Sequence, residues 1–82
     1  MIKVLVVEDS AVVREFLLAV FGADPDILVV GTAADGEQAI EIAQRLRPDV
    51  ITMDVHMPKI DGVEATRRIM QTDPRPIVIV SG

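Results

Sequence analysis

Asp54 closes the apolar start of VITMDVHMP, the segment from Val50 to Pro58, just ahead of a turn. A strand that reads as buried has no use for a charge at its end. Two more acids, Glu8 and Asp9, follow another apolar run, Ile2 to Val7 (IKVLVV), and a hydroxyl, Ser81, follows a third, Ile77 to Val80 (IVIV). If strands one, three and four are neighbours, these groups converge on one edge of a sheet. Carboxylates a few Å apart repel by on the order of a few kcal/mol per pair at intermediate dielectric. Such a cluster takes up a proton or binds a cation. Hard oxygen donors with no His or Cys partner suit Mg²⁺, with Mn²⁺ possible. A divalent ion held there, with positions open to water and phosphate oxygens, outlines a phosphoryl-transfer site. One carboxylate then attacks phosphorus and carries an aspartyl-phosphate.

Plainer readings compete for some of these residues. An acid just after a strand is often only a helix cap, and Asp9 or Ser10 can cap the helix that follows. Asp54 resists that reading, because Val55 and His56 begin no helical pattern. His56, the one histidine, makes no triad beside a single Asp, and its ring is expected to be exposed. Met53, Met57 and Met70 read as core or loop filling. Arg67 and Arg68 read as a solvated helix face. EDSAVV follows the first strand where a nucleotide fold carries a glycine-rich loop, which disfavours nucleotide binding.

The elements that must position these groups alternate in kind. Ile2 to Val7, Ile27 to Ala33, Val50 to Asp54 and Ile77 to Val80 read as strands, short and rich in Val and Ile. Between them the apolar period changes to that of helices. The first carries Val12, Val13, Phe16, Leu17, Val20 and Phe21 on one stripe and ends at Gly22. The second runs from about Glu37 to Leu46, with Ala39, Ile40, Ala43 and Leu46 inward and Gln38 three residues after Asp35, a capping-box spacing. Pro48 stops it. Asp61 caps the third, with Glu64 three residues on. Its inner face is expected at Val63, Thr66, Ile69 and Met70. The order β-α-β-α-β-α-β, with helices of about ten residues, predicts an α/β fold with a parallel sheet. Ligands of such sheets sit beyond the carboxyl ends of the strands.

Composition narrows the function classes. Eighty-two residues make one domain at most, here residues 1–82. Only two residues, Phe16 and Phe21, are aromatic, so the core must be aliphatic. The net charge of −5 argues against a nucleic-acid surface. No apolar run approaches a membrane span. Without cysteine there is no disulfide or thiolate metal site. A soluble chain in the cytoplasm is the expectation.

VLVVEDS, ADGEQAIE, PDVITMDVHMPKIDG and PIVIVSG, in this order and spacing, resemble the motifs of a response-regulator receiver domain. EDSAVVREFL, DPDILVVGTAADGEQAIE and DGVEATRRIM are most similar to the receiver of a chemotaxis protein-glutamate methylesterase, in which phosphorylation relieves a block on a separate catalytic domain. The resemblance implies a flavodoxin-like sheet of order 2-1-3-4 over the strands present. It implies Asp54 as phosphoacceptor, Asp9 as a direct Mg²⁺ ligand and Glu8 as one acting through water. The backbone carbonyl of His56 is then the third protein ligand, and Ser81 the switch hydroxyl. Met57-Pro58 and Asp61-Gly62 shape the loop. The implied phosphodonor is a sensor histidine kinase or phosphotransfer protein.

A full receiver continues with a fourth helix, a fifth strand and a fifth helix, so the chain reads as a truncated receiver. The lysine of the family's fifth strand, which pairs with the phosphoryl group, has no counterpart in these residues. Impaired phosphorylation is expected of the fragment, and no enzyme activity. Ile77, Val78, Ile79 and Val80 then form an unpaired apolar edge, a template for pairing with a second copy. Two other readings stand beside this one. The chain is a self-assembling half-domain without signalling, or a phosphatase with Asp54 as nucleophile. The phosphatase reading is weakened because such enzymes place a second Asp where His56 stands.

Overall fold

The computed structural model describes residues 1–80. Ser81, the expected switch hydroxyl, lies outside the described residues. The elements are β1 (Ile2–Val7), α1 (Ala11–Gly22), β2 (Ile27–Ala33), α2 (Gly36–Leu46), β3 (Val50–Asp54), α3 (Gly62–Thr72) and β4 (Ile77–Val80). The strands form one parallel sheet in the order β2-β1-β3-β4, as expected. From β1 the chain steps one way to β2, and from β3 it steps the other way to β4. Right-handed crossovers therefore put α1 on one face and α2 and α3 on the other. The strand order changes direction between β1 and β3, and sheets of this kind bind ligands at the carboxyl ends of the strands there.

The core lies under α2 and α3. Leu5, Val7, Ala33, Ile51 and Met53 from the sheet pack with Ala39, Ala43, Ala65 and Ile69 from the helices. Val4 and Val6 alternate to the α1 face and are also buried, so β1 is covered on both sides. Pairing of β1 with β2 shifts register between Val4 and Leu5, next to Gly31.

The inner face of α3 differs from expectation in part, although Ile69 is buried as expected. In α3 the buried residues are Gly62, Ala65 and Ile69, while Val63 and Met70 are exposed. The helix approaches the chain so closely at its start that small residues take the inner positions. In α1 no residue is buried; Val12 is 81% exposed and Phe16 66%. The stripe is present in sequence, but α1 lies over β1 and β2 with its apolar side largely open.

Caps fix where the helices begin. Ser10 Oγ accepts from the Val13 amide at 3.3 Å and is the cap of α1. Asp35 caps α2, and Gln38 Oε1 reaches back to accept from the Ala34 amide at 2.9 Å. Asp61 caps α3, but Glu64 does not complete a box: its carboxylate pairs with Arg67 and Arg68.

Candidate functional site

Strand register brings the acids together. Val7 pairs with Met53 across β1 and β3, so the next residues, Glu8 and Asp54, lie side by side. Both alternate to the α1 face of the sheet. Glu8 and Asp54 are buried, and Asp9 is exposed. Carboxylate oxygens of all three lie within 4.8 Å of one another. Because Ser10 caps α1, the carboxylate of Asp9 is not used as the helix cap and stays in the cluster.

The backbone around the cluster is fixed by named contacts. The Glu8 amide donates to the Ala33 carbonyl at 2.9 Å. Glu8 Oε2 accepts from the Ser10 amide at 3.0 Å, and Asp54 Oδ1 accepts from the His56 amide at 3.1 Å. Burial pushes the Glu8 carboxyl above its ordinary range. The Ser10 amide pulls it back, and the neighbouring Asp54 and Asp9 push it up again. Two buried carboxyls and one exposed one therefore carry more negative charge than the site holds comfortably. A proton relieves this, and so does a divalent cation. All-oxygen donors of this hardness fit Mg²⁺ or Mn²⁺. They can serve as part of a coordination shell whose remaining positions go to water and phosphate.

The remaining expected residues surround the loop after β3. The side chains of His56 and Pro58 are exposed. Gly62 donates its amide to the Val55 carbonyl at 2.9 Å. A Cβ there would lie 2.0 Å from the Asp54 carbonyl oxygen, so only a bare backbone fits. Val80 pairs in register with Asp54, which gives the β4 end its place beside the acids.

Three residues near the site lie inside the quoted motifs but are given no role from sequence. Arg14, one turn into α1, donates from Nη1 to the Glu8 carbonyl at 2.8 Å. Lys59, in the loop, lies 3.5 Å from Asp35 Oδ2 at the start of α2. Gly36 abuts Ile60. Only the turn-like Asp35-Gly36 dipeptide hints at the last of these from sequence. Among the described residues no helix is long and apolar enough to cross a membrane.

Comparison with known proteins supplies the lineage. The family model for the response regulator receiver domain matches residues 4–82. The chain is 67% identical over 82 residues to a protein-glutamate methylesterase/protein-glutamine glutaminase of Nitrosospira multiformis, and 61% identical to one of Geobacter metallireducens. These matches cover all of this chain but 23% and 24% of those proteins. Among solved structures, the response regulator domain of Thermotoga maritima CheB superposes with a TM-score of 0.97 at 48% identity, over 99% of this chain and 60% of that one. A CheX–CheY–BeF3–Mg complex from Borrelia burgdorferi gives 0.92 at 31% identity, covering 98% of this chain and 61% of that one. The fold is that of a flavodoxin-like receiver through its fourth strand, and a receiver is not itself the catalytic part of the longer methylesterases. The chain belongs to the response regulator receiver domain family, on the branch of the chemotaxis methylesterase receivers.

Proposed function

We propose that the chain accepts a phosphoryl group on Asp54. The observation that carries this reading is the gathering of Glu8, Asp9 and Asp54 oxygens within 4.8 Å at the carboxyl ends of β1 and β3. Asp54 attacks the phosphorus of a phosphohistidine; its new O–P bond forms as the donor's P–N bond breaks. Asp9, Asp54 and the His56 carbonyl would hold Mg²⁺, with Glu8 acting through water. Bound there, the ion would offset carboxylate charge that would otherwise repel the donor. Ser81 follows Val80 in the chain and is proposed as the hydroxyl that meets the phosphoryl group. The donor is a sensor histidine kinase or phosphotransfer protein in the cytoplasm. The output is of the methylesterase kind, with phosphorylation relieving a block on a catalytic domain.

The test is Mg²⁺ with beryllofluoride, a phosphoryl mimic, followed by backbone amide shifts. Shifts centred on residues 8–10 and 54–56, absent in Asp54→Asn, are expected. Turnover of a generic phosphate ester by the wild type would favour the phosphatase reading.

We also propose that the 82-residue chain pairs with a second copy along β4. Val78 and Ile79 are about half exposed on this edge strand, and Phe16 and Val12 stand open on α1. An apolar β-branched edge is a template for strand addition. The sedimenting mass at micromolar concentration tests this, and a well-folded monomer would overturn it.

A further inference from the structure

The loop between Asp54 and α3 is gripped from both sides by helix starts of the same design. Asp35-Gly36 opens α2 and Asp61-Gly62 opens α3. Asp35 Oδ1 accepts from the Gln38 amide and Asp61 Oδ1 from the Glu64 amide, each at 2.9 Å. Each glycine then meets backbone, Gly36 at Ile60 in the loop and Gly62 at Asp54, where β3 ends. A Cβ on Gly36 would lie 2.2 Å from the Ile60 carbonyl oxygen, and one on Gly62 would lie 2.0 Å from that of Asp54. Neither glycine has positive φ, so what the contacts demand is space. Lys59, one residue before Ile60, does take a left-handed conformation, at φ 65°. That region is unfavourable for a side chain of this kind and persists where surrounding contacts over-determine it. The ammonium of Lys59 lies 3.5 Å from Oδ2 of the buried Asp35.

We propose that Lys59 and Gly36 are positioning residues for the acidic corner: the Lys59–Asp35 ion pair and the Gly36–Ile60 backbone approach fix the loop whose first residues shape the surroundings of Asp54. The loop begins with Val55, whose carbonyl binds the Gly62 amide, and His56, whose amide binds Asp54 Oδ1. A loop released from α2 can shift both contacts. Lys59 acts through the loop, since among the described residues its ion pair is with Asp35 and with no acid of the cluster. The part of the inference that concerns metal rests on the phosphoryl-acceptor reading; the latch itself does not.

The test compares the wild-type chain with Lys59→Met, Lys59→Arg and Gly36→Ala. Hydrogen exchange of the His56 and Gly62 amides reads the latch without metal, and Mg²⁺ affinity from amide shifts reads the site. The chain has no Trp or Tyr, so amide signals replace fluorescence. Lys59→Met should speed exchange at both amides by about threefold, leave α1 amides unchanged and weaken Mg²⁺ binding by about threefold, the scale of a partly exposed ion pair. Lys59→Arg should restore both. Gly36→Ala should act in the same direction and more strongly, but the decision rests on Lys59→Met, because overlap at Gly36 can unfold the chain. Wild-type exchange in Lys59→Met, or no rescue by Arg, overturns the proposal. A wild type that binds no Mg²⁺ sinks the phosphoryl-acceptor reading, and exchange alone then decides the latch.

Discussion

Glu8, Asp9 and Asp54 cost the fold repulsion when no cation is present, and removing one charge should reveal that cost. Glu8→Gln is expected to stabilise the metal-free chain by on the order of 1 kcal/mol at neutral pH and to weaken Mg²⁺ binding. Denaturant melts with and without Mg²⁺ measure both effects, and they should have opposite sign. A second residue-scale prediction concerns Glu64. Hydrogen bonds from Arg67 and then Arg68 hold its carboxyl at about 2, against an ordinary value of 4.5. The folded chain thus releases this proton more readily than the unfolded chain. Its stabilising contribution is complete above about pH 4.5 and is lost as pH falls toward 2. Glu64→Gln should therefore be slightly less stable than wild type at pH 7, with the gap closing over that window. The three groups face solvent, so the gap should also shrink in salt. At this scale the acids of the corner were legible in the sequence, because each closes an apolar run. The Lys59–Asp35 pair was not, because its partners come from separate loops and nothing in their spacing links them.

All four strands and the starts of all three helices could be read from apolar runs and capping residues. The face of α3 could be read only in part. Ile69 was expected inside and is buried, but Val63 and Met70, larger than Ala65, also drew inner positions, whereas the observed core takes Gly62 and Ala65 beside Ile69. Hydrophobicity ranks residues by transfer energy, whereas close approach to backbone selects for small size. Truncation tests the difference. Ile69→Ala should cost about 2–5 kcal/mol through lost burial and a cavity. Val63→Ala, at an exposed site, should fall within about 0.5 kcal/mol of wild type. Thermal or denaturant unfolding of the pair decides which face is inside, and equal losses would contradict the packing described. The apolar stripe of α1 was legible from its period. Periodicity reports that a helix has an apolar side, not what covers it.

The 80 described residues have a radius of gyration of 11.5 Å, near the ~12 Å expected of a compact chain this long. Exposed Phe16, Val12 and Val78 are therefore open surface on a folded body, not signs of looseness. The solved Thermotoga receiver it matches is longer, and the chain spans under a quarter of its curated relatives. The proposed pairing along β4 should weaken when Val78 is replaced by Lys, which puts a charge on that strand. Sedimentation of Val78→Lys against wild type measures it, and an unchanged mass would mean that β4 is not the contact. The central claim is narrower than any of these: three carboxylates from two strand ends meet to hold a small hard cation beside Asp54. Its most direct test is a Mg²⁺ titration of the wild-type chain and Asp54→Asn, followed by backbone amide shifts. The account predicts saturable shifts confined to residues 8–10 and 54–56, lost or greatly weakened in the variant; shifts that never saturate, spread over the whole acidic surface or persist unchanged in Asp54→Asn would contradict it.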